Sequence, residues 1–143
     1  MVQFALLALV ATSAFTEVYW SDPIAGTLAI VGLVALGAGL MLLLLGVFAL
    51  GRSLTPSPHP AQGGRLVERG VYGSVRHPIY GAAILICLGW SLVESPLGLV
   101  PTALLVVLFD LKARLEEDLL EERYPPYAGY RERTPWRFLP GLY

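Results

Sequence analysis

Five consecutive residues, Arg76-His77-Pro78-Ile79-Tyr80, put a guanidinium, an imidazole and a phenol within little more than one helical turn. Proline suits the first position of a helix, where its missing N–H has no partner to lose, and His77 would then cap that helix. A helix start presents free backbone N–H groups and a partial positive charge. Beside Arg76 and His77 this end suits an anion such as a carboxylate, and Tyr80 lies on the same face as His77. Further along, Glu116-Glu117-Asp118 with Glu121-Glu122 is denser in acid than a solubilising face needs. Taken alone, each group has a plainer explanation. Arg76 and His77 could snorkel to lipid headgroups, with Tyr80 in an interfacial belt. The acids could be the wet face of a helix.

Little else in the chain could do chemistry. One cysteine, Cys87, excludes an intramolecular disulfide or a thiolate zinc cluster, and two histidines leave little for any other metal site, so no metal is expected. Cys87 falls within an apolar run, where a thiolate is disfavoured. His59 stands between two prolines and reads as a solvated loop residue.

These groups need a frame, and composition says which kind. Hydrophobic residues make up 55% of the 143, fifteen glycines come on top, and charged residues are only 15%. A chain this small exposes much of its surface and has too few charges to cover it in water. Disorder is excluded, and a soluble globular fold is opposed. The net charge of −1 gives no pull towards nucleic acid.

Between Asp22 and Arg52 lie 29 residues without an ionisable side chain, enough for a tilted transmembrane helix. Val2–Trp20 reads as a helix before it, apolar up to Phe15, with Tyr19 and Trp20 at the interface. A cleaved signal peptide would want a basic n-region, and this stretch has only its α-amine, so it is expected to be kept. Pro78–Val93 and Leu97–Phe109 are apolar runs of 16 and 13 residues separated by Glu94-Ser95-Pro96, hence a tight helical hairpin. Leu111, Leu115, Leu119 and Leu120 carry a helical stripe onward, so the last helix continues out of the membrane. Tyr124, Tyr127, Tyr130, Trp136 and Tyr143 then form an interfacial aromatic cap. The stretch from Thr55 to Pro60 is a stiff linker, followed by a glycine joint.

Charge placement fits this frame. Residues 1–51 hold no Lys or Arg, and all ten basic residues fall in two groups, Arg52 to Arg76 and Lys112 to Arg137. Four crossings with a cytoplasmic N-terminus put both groups in the cytoplasm, the positive-inside pattern. The expectation is an all-α integral membrane bundle of about four transmembrane helices. It forms one domain over 1–143: two helices in 1–51, a cytoplasmic loop at 52–77, and a hairpin plus site segment at 78–143.

Four motifs in order then resemble one family. Leu-Val-x-x-Gly-x-Tyr at 66–72 and Arg-His-Pro-x-Tyr at 76–80 are similar to the opening of the cofactor segment in isoprenylcysteine carboxyl methyltransferases. After the hairpin come Glu-Glu-x-Leu-Leu at 116–120 with Tyr124 four residues on, then Tyr127-x-x-Tyr130-Arg131-x-Arg133-x-Pro135 and Pro140. The resemblance covers about residues 66–140. The chain departs from the family at Tyr124-Pro125-Pro126, where an aromatic-Gly is usual, at Gly81, which directly follows Tyr80, and in having only two helices before the motif.

The resemblance implies S-adenosylmethionine as methyl donor, held at the cytoplasmic membrane face by Arg76, His77, Pro78, Tyr80, Glu116 and Glu117. Arg76, His77 and the helix start would take its carboxylate, Glu116 and Glu117 its ammonium or ribose diol, and Tyr80 and the tail aromatics its sulfonium. No catalytic residue is implied with certainty of role; Arg76 and Arg133 are the candidates for orienting the acceptor. The leading acceptor is a prenylcysteine-type carboxylate arriving from the bilayer. Alternatives are a phosphatidylethanolamine amine, a small lipophilic thiol or acid, or a non-enzymatic membrane scaffold.

Overall fold

The computed structural model describes residues 1–51 and 66–142. Thr55 to Pro60, His59 and the glycine joint lie outside the described residues. Helices account for every regular element among the described residues: α1 (Val2–Thr12), α2 (Ala25–Leu50), α3 (Pro78–Glu94), α4 (Leu99–Arg123) and α5 (Tyr127–Arg133). Short 3-10 turns stand at Ser13–Phe15, Gly70–Gly73 and Pro96–Gly98.

The described chain divides into two compact units. Met1–Met41 with Ala82–Phe109 form one, and Leu42–Gly81 with Asp110–Tyr143 form the other.

In the first unit, glycines bring α2 and α3 into close antiparallel contact. A Cβ added at Gly32 would fall 2.7 Å from the carbonyl oxygen of Gly89, and one at Gly89 would fall 2.6 Å from that of Gly32. Seven residues along α2, a Cβ at Gly39 would meet the Ala82 carbonyl at 3.0 Å. Small residues on one stripe let backbones approach where side chains would hold them apart, the usual device between membrane helices. Polar groups at one end of this unit answer one another. Ser95 donates to the carbonyl of Val18 at 2.7 Å, Trp20 Nε1 donates to that of Ser91 at 3.0 Å, and Thr102 donates to that of Gly98 at 2.7 Å. Ser95 also accepts from the Leu97 N–H, capping the turn in which Pro96 opens the chain into α4.

Two helices, Ala25–Leu50 and Pro96–Arg123, are long and apolar enough to cross a bilayer, and Val2–Phe15 and Pro78–Glu94 are shorter apolar helices. Only 11% of the most apolar window of α2 is buried. A helix buried in a soluble core would show the reverse. Phe4, Ile30, Val34, Leu104 and Val107 are all exposed, an outward apolar surface suited to lipid. The helix expected over Val2–Trp20 is shorter than that span and stops with its apolar stretch. It ends at Phe15, and Thr16 donates to the Ser13 carbonyl at 2.6 Å, leaving 16–20 to reach the α3–α4 turn.

The second unit has a different interior. Its buried residues include Tyr72, Val75, Ala113, Tyr127, Tyr130 and Phe138, and with them Arg76, His77, Glu117 and Thr134.

Candidate functional site

α3 starts at Pro78, and the His77 carbonyl accepts the first helical hydrogen bond, from Gly81, at 3.1 Å. The backbone amides just before that start, those of Arg76 and His77, are already engaged. They donate to the carbonyls of Trp136 and Arg137 at 3.0 and 2.8 Å, lacing the tail onto the start of α3. Gly81 permits this close seating: a Cβ there would collide with the Phe138 carbonyl. The glycine directly after Tyr80, an oddity in the motif, thus has a steric reason.

At the centre lies Glu117, 1% exposed. Its Oε1 accepts from Arg76 Nε at 2.9 Å, from His77 Nε2 at 3.1 Å and from Arg137 Nε at 3.1 Å; its Oε2 accepts from Arg137 Nη2 at 3.2 Å. Burial, the largest influence, would raise its carboxyl pKa. The hydrogen bonds from His77, Arg137 and Arg76 outweigh it and hold the carboxyl well below the usual carboxylate range. Arg76 is equally committed. Its Nη1 donates to the carbonyls of Thr134 at 2.6 Å and Pro135 at 2.7 Å.

His77 stands between two acids, with Nδ1 3.4 Å from Glu116 Oε2 and Nε2 3.1 Å from Glu117 Oε1. A carboxylate only accepts, so this setting favours a proton on both ring nitrogens. Burial pulls its pKa down, but the hydrogen bonds and charges of Glu116 and Glu117 outweigh burial and raise it above the ordinary histidine value. Tyr80 donates to Glu116 Oε1 at 2.8 Å, its ring parallel to that of His77 with centroids 5.6 Å apart and the Phe138 edge against both. Lys112 Nζ lies 5.2 Å from the Tyr80 centroid.

Arg76, His77, Pro78, Tyr80, Glu116 and Glu117 thus come together in one unit. Arg133 does not join them; it is exposed and paired with Glu68 at 2.8 Å. The register also differs from the expected one. Counting from a turn at 94–96 puts Pro78 level with Asp110 and leaves roughly 10 Å between bases and acids. Instead they touch, because the 3-10 turn Pro96–Gly98 delays the start of α4 to Leu99 and brings Glu116 and Glu117 level with Tyr80 and His77.

Arg137 was missed. Besides Glu117 it holds Asp110, Nη1 to Oδ1 at 2.6 Å, and so ties two points on α4, about two turns apart, to the tail. Its signal, an arginine between Trp136 and Phe138, reads in sequence as part of the aromatic cap.

The cluster matches three carboxylates, Asp110, Glu116 and Glu117, with three cations, Arg76, His77 and Arg137. Its chemistry fits S-adenosylmethionine at one edge. Glu116 keeps 20% of its side chain exposed and offers a carboxylate to an ammonium or a diol. A second fit is the Tyr127 hydroxyl, which is buried without a hydrogen-bond partner. Glu117 and Arg76, by contrast, are taken up by the protein.

An outward apolar surface together with a laced ionic cluster defines a helical membrane protein with a polar site. The chain belongs to the phospholipid methyltransferase family, whose model matches residues 27–126. It is also similar to the Delta(14)-sterol reductase of Mus musculus, 34% identical over 90 residues, covering 58% of this chain and 21% of the relative. The Delta(14)-sterol reductase of Arabidopsis thaliana is 31% identical over 90 residues, covering 60% of this chain and 24% of the relative. The chain therefore spans about a fifth to a quarter of the length of these curated relatives.

Proposed function

We propose that this chain is an integral membrane methyltransferase that moves a methyl group from S-adenosylmethionine to a lipophilic acceptor entering from the bilayer. The observation that carries the reading is the accessible Glu116 carboxylate, held by Tyr80 and His77 at the edge of a buried ion cluster in a member of this family. When bound, the donor supplies an electrophilic methyl on a sulfonium. Glu116 would accept from its ammonium or ribose diol, and Tyr80 would be the aromatic group offered to its sulfonium. Arg76 and Glu117 position these groups by fixing the tail against α3 and α4, and Pro78 starts α3 so that His77 and Tyr80 share a face. Alignment and proximity supply most of the acceleration for such a displacement.

The family description makes a phospholipid amine an acceptor to test, and the four motifs make a prenylcysteine-type carboxylate the other. Alkali separates them after incubation of membranes with methyl-labelled donor. A methyl ester releases volatile labelled methanol, whereas an N-methyl group stays on the non-volatile headgroup amine.

A reductase-like role is favoured by one observation, the identity to two Delta(14)-sterol reductases. A reduction needs a hydride donor such as a reduced nicotinamide cofactor. Calorimetric titration of the detergent-purified chain with S-adenosylhomocysteine and with NADPH decides between them. The methyltransferase reading expects the first to bind, Glu116→Gln to weaken it about tenfold or more, and Glu94→Gln to leave it unchanged. Binding of NADPH alone would reverse the assignment. Binding of neither would favour a scaffold.

A further inference from the structure

Tyr127 and Tyr130 lie three residues apart on α5, both buried, their rings edge to face with centroids 5.6 Å apart. Their hydroxyls have different fates. Tyr130 donates to the carbonyl of Tyr72 at 2.7 Å. The Tyr127 hydroxyl has no hydrogen-bond partner among the described residues, although Tyr127 is only 1% exposed. A buried polar group left without a partner bears the cost of leaving water with nothing in return, and folded proteins keep few of them. Phenylalanine would fill the same space without that cost. The oxygen therefore calls for a partner that the described residues do not supply.

Its surroundings say where that partner lies. Arg131 follows Tyr127 by four residues, so the two share a helix face, and Arg131 Nε reaches to 4.0 Å of Glu117 Oε2. Glu117 already accepts from three cationic side chains, and Arg76 donates to Glu117, Thr134 and Pro135. Tyr127 thus brings an unused donor and acceptor to the α5 face whose Arg131 approaches Glu117, in the unit that holds the cluster.

We infer that the Tyr127 hydroxyl is a ligand contact, hydrogen-bonding a polar atom of S-adenosylmethionine bound at the Glu116 edge of the cluster; this rests on the methyltransferase reading. Tyr127 is then kept as tyrosine for binding and not for folding, and the two effects of removing its oxygen have opposite signs.

The test is Tyr127→Phe in the full, detergent-purified chain, with S-adenosylhomocysteine as the probe and the melting temperature of the unliganded protein as the second readout. Affinity should fall about three- to tenfold, the loss of one hydrogen bond. The unliganded melting temperature should hold or rise. Tyr130→Phe, which removes an internal hydrogen bond, should lower it. Wild-type affinity in Tyr127→Phe would overturn the inference and assign the oxygen to a buried water. A lower unliganded melting temperature in Tyr127→Phe would overturn it in favour of a structural role. Failure of the wild type to bind the probe would overturn the methyltransferase reading, and this inference with it.

Discussion

Arg137 grips both oxygens of Glu117, Nε 3.1 Å from Oε1 and Nη2 3.2 Å from Oε2, and so couples the tail to α4 through a carboxylate that is almost wholly buried. Removing one member of a buried ion network strands the others, which costs about 3–5 kcal/mol. Glu117→Gln should therefore lose about that much stability in denaturant unfolding of the detergent-solubilised protein. Arg133→Ala breaks an exposed pair with Glu68 and should cost at most about 1 kcal/mol. Similar losses for both would refute the central role of Glu117.

His77 makes the cluster sensitive to pH. The groups facing it are Glu116 and Glu117, which raise its pKa, with Arg76 and Arg137 on the same Glu117 carboxylate. A histidine whose pKa is raised on folding contributes stability fully below its unfolded value of about 6.5, and loses it as pH rises through the folded value. Glu117, with its pKa lowered, contributes above the ordinary carboxylate range and loses stability only in acid. The melting temperature of the unliganded protein should thus decline on the alkaline side of neutrality. His77→Gln should remove that decline; a flat wild-type profile from pH 6 to 9 would contradict it.

The start of α3, the α3–α4 hairpin and the run of α4 beyond Phe109 were legible in the sequence, because each has a local cause. Pro78 can open a helix but not continue one, Ser95-Pro96 turns the chain, and the leucine stripe from Leu111 keeps helical period. Which acid meets which base was not legible. His77 and Glu117 are forty residues apart, and their register hangs on one 3-10 turn that no composition signal announces. Arg137 escaped for a related reason. An arginine among aromatics reads equally well as a headgroup contact, and only the tertiary fold sends it inward.

Helix contact can be tested at the glycines. A side chain at Gly32 or Gly89 would press on the opposing backbone carbonyl, which cannot rotate away. Gly32→Leu and Gly89→Val should each destabilise by about 1–3 kcal/mol or more. Gly37→Ala, with nothing within 4 Å of the added carbon, should be neutral or stabilising. Equal sensitivity at Gly32 and Gly37 in thermal unfolding would rule out close α2–α3 approach.

Orientation follows from the distribution of basic residues and can be read by labelling. On a Cys87→Ala background, single cysteines at Ser74 and at Glu132, both exposed positions, should react from the cytoplasmic side. One at Ser21 should react from the other side. Reaction of Ser21 and Ser74 cysteines with the same impermeant reagent from one side would end the four-crossing topology.

The amides of Arg76 and His77 close on carbonyls of Trp136 and Arg137, and this sets a timetable for biogenesis. Those carbonyls are polymerised sixty residues after the amides they serve, a delay of roughly 3–12 s at 5–20 residues per second. Once α3 has itself been made, within that interval, it can enter the bilayer while Arg76 and His77 still lack their final partners. A chain that stalls or is cut before Thr134 would present its inserted helices with an open, charged seam. Such a seam is a mark by which quality-control proteases could tell an unfinished molecule from a finished one.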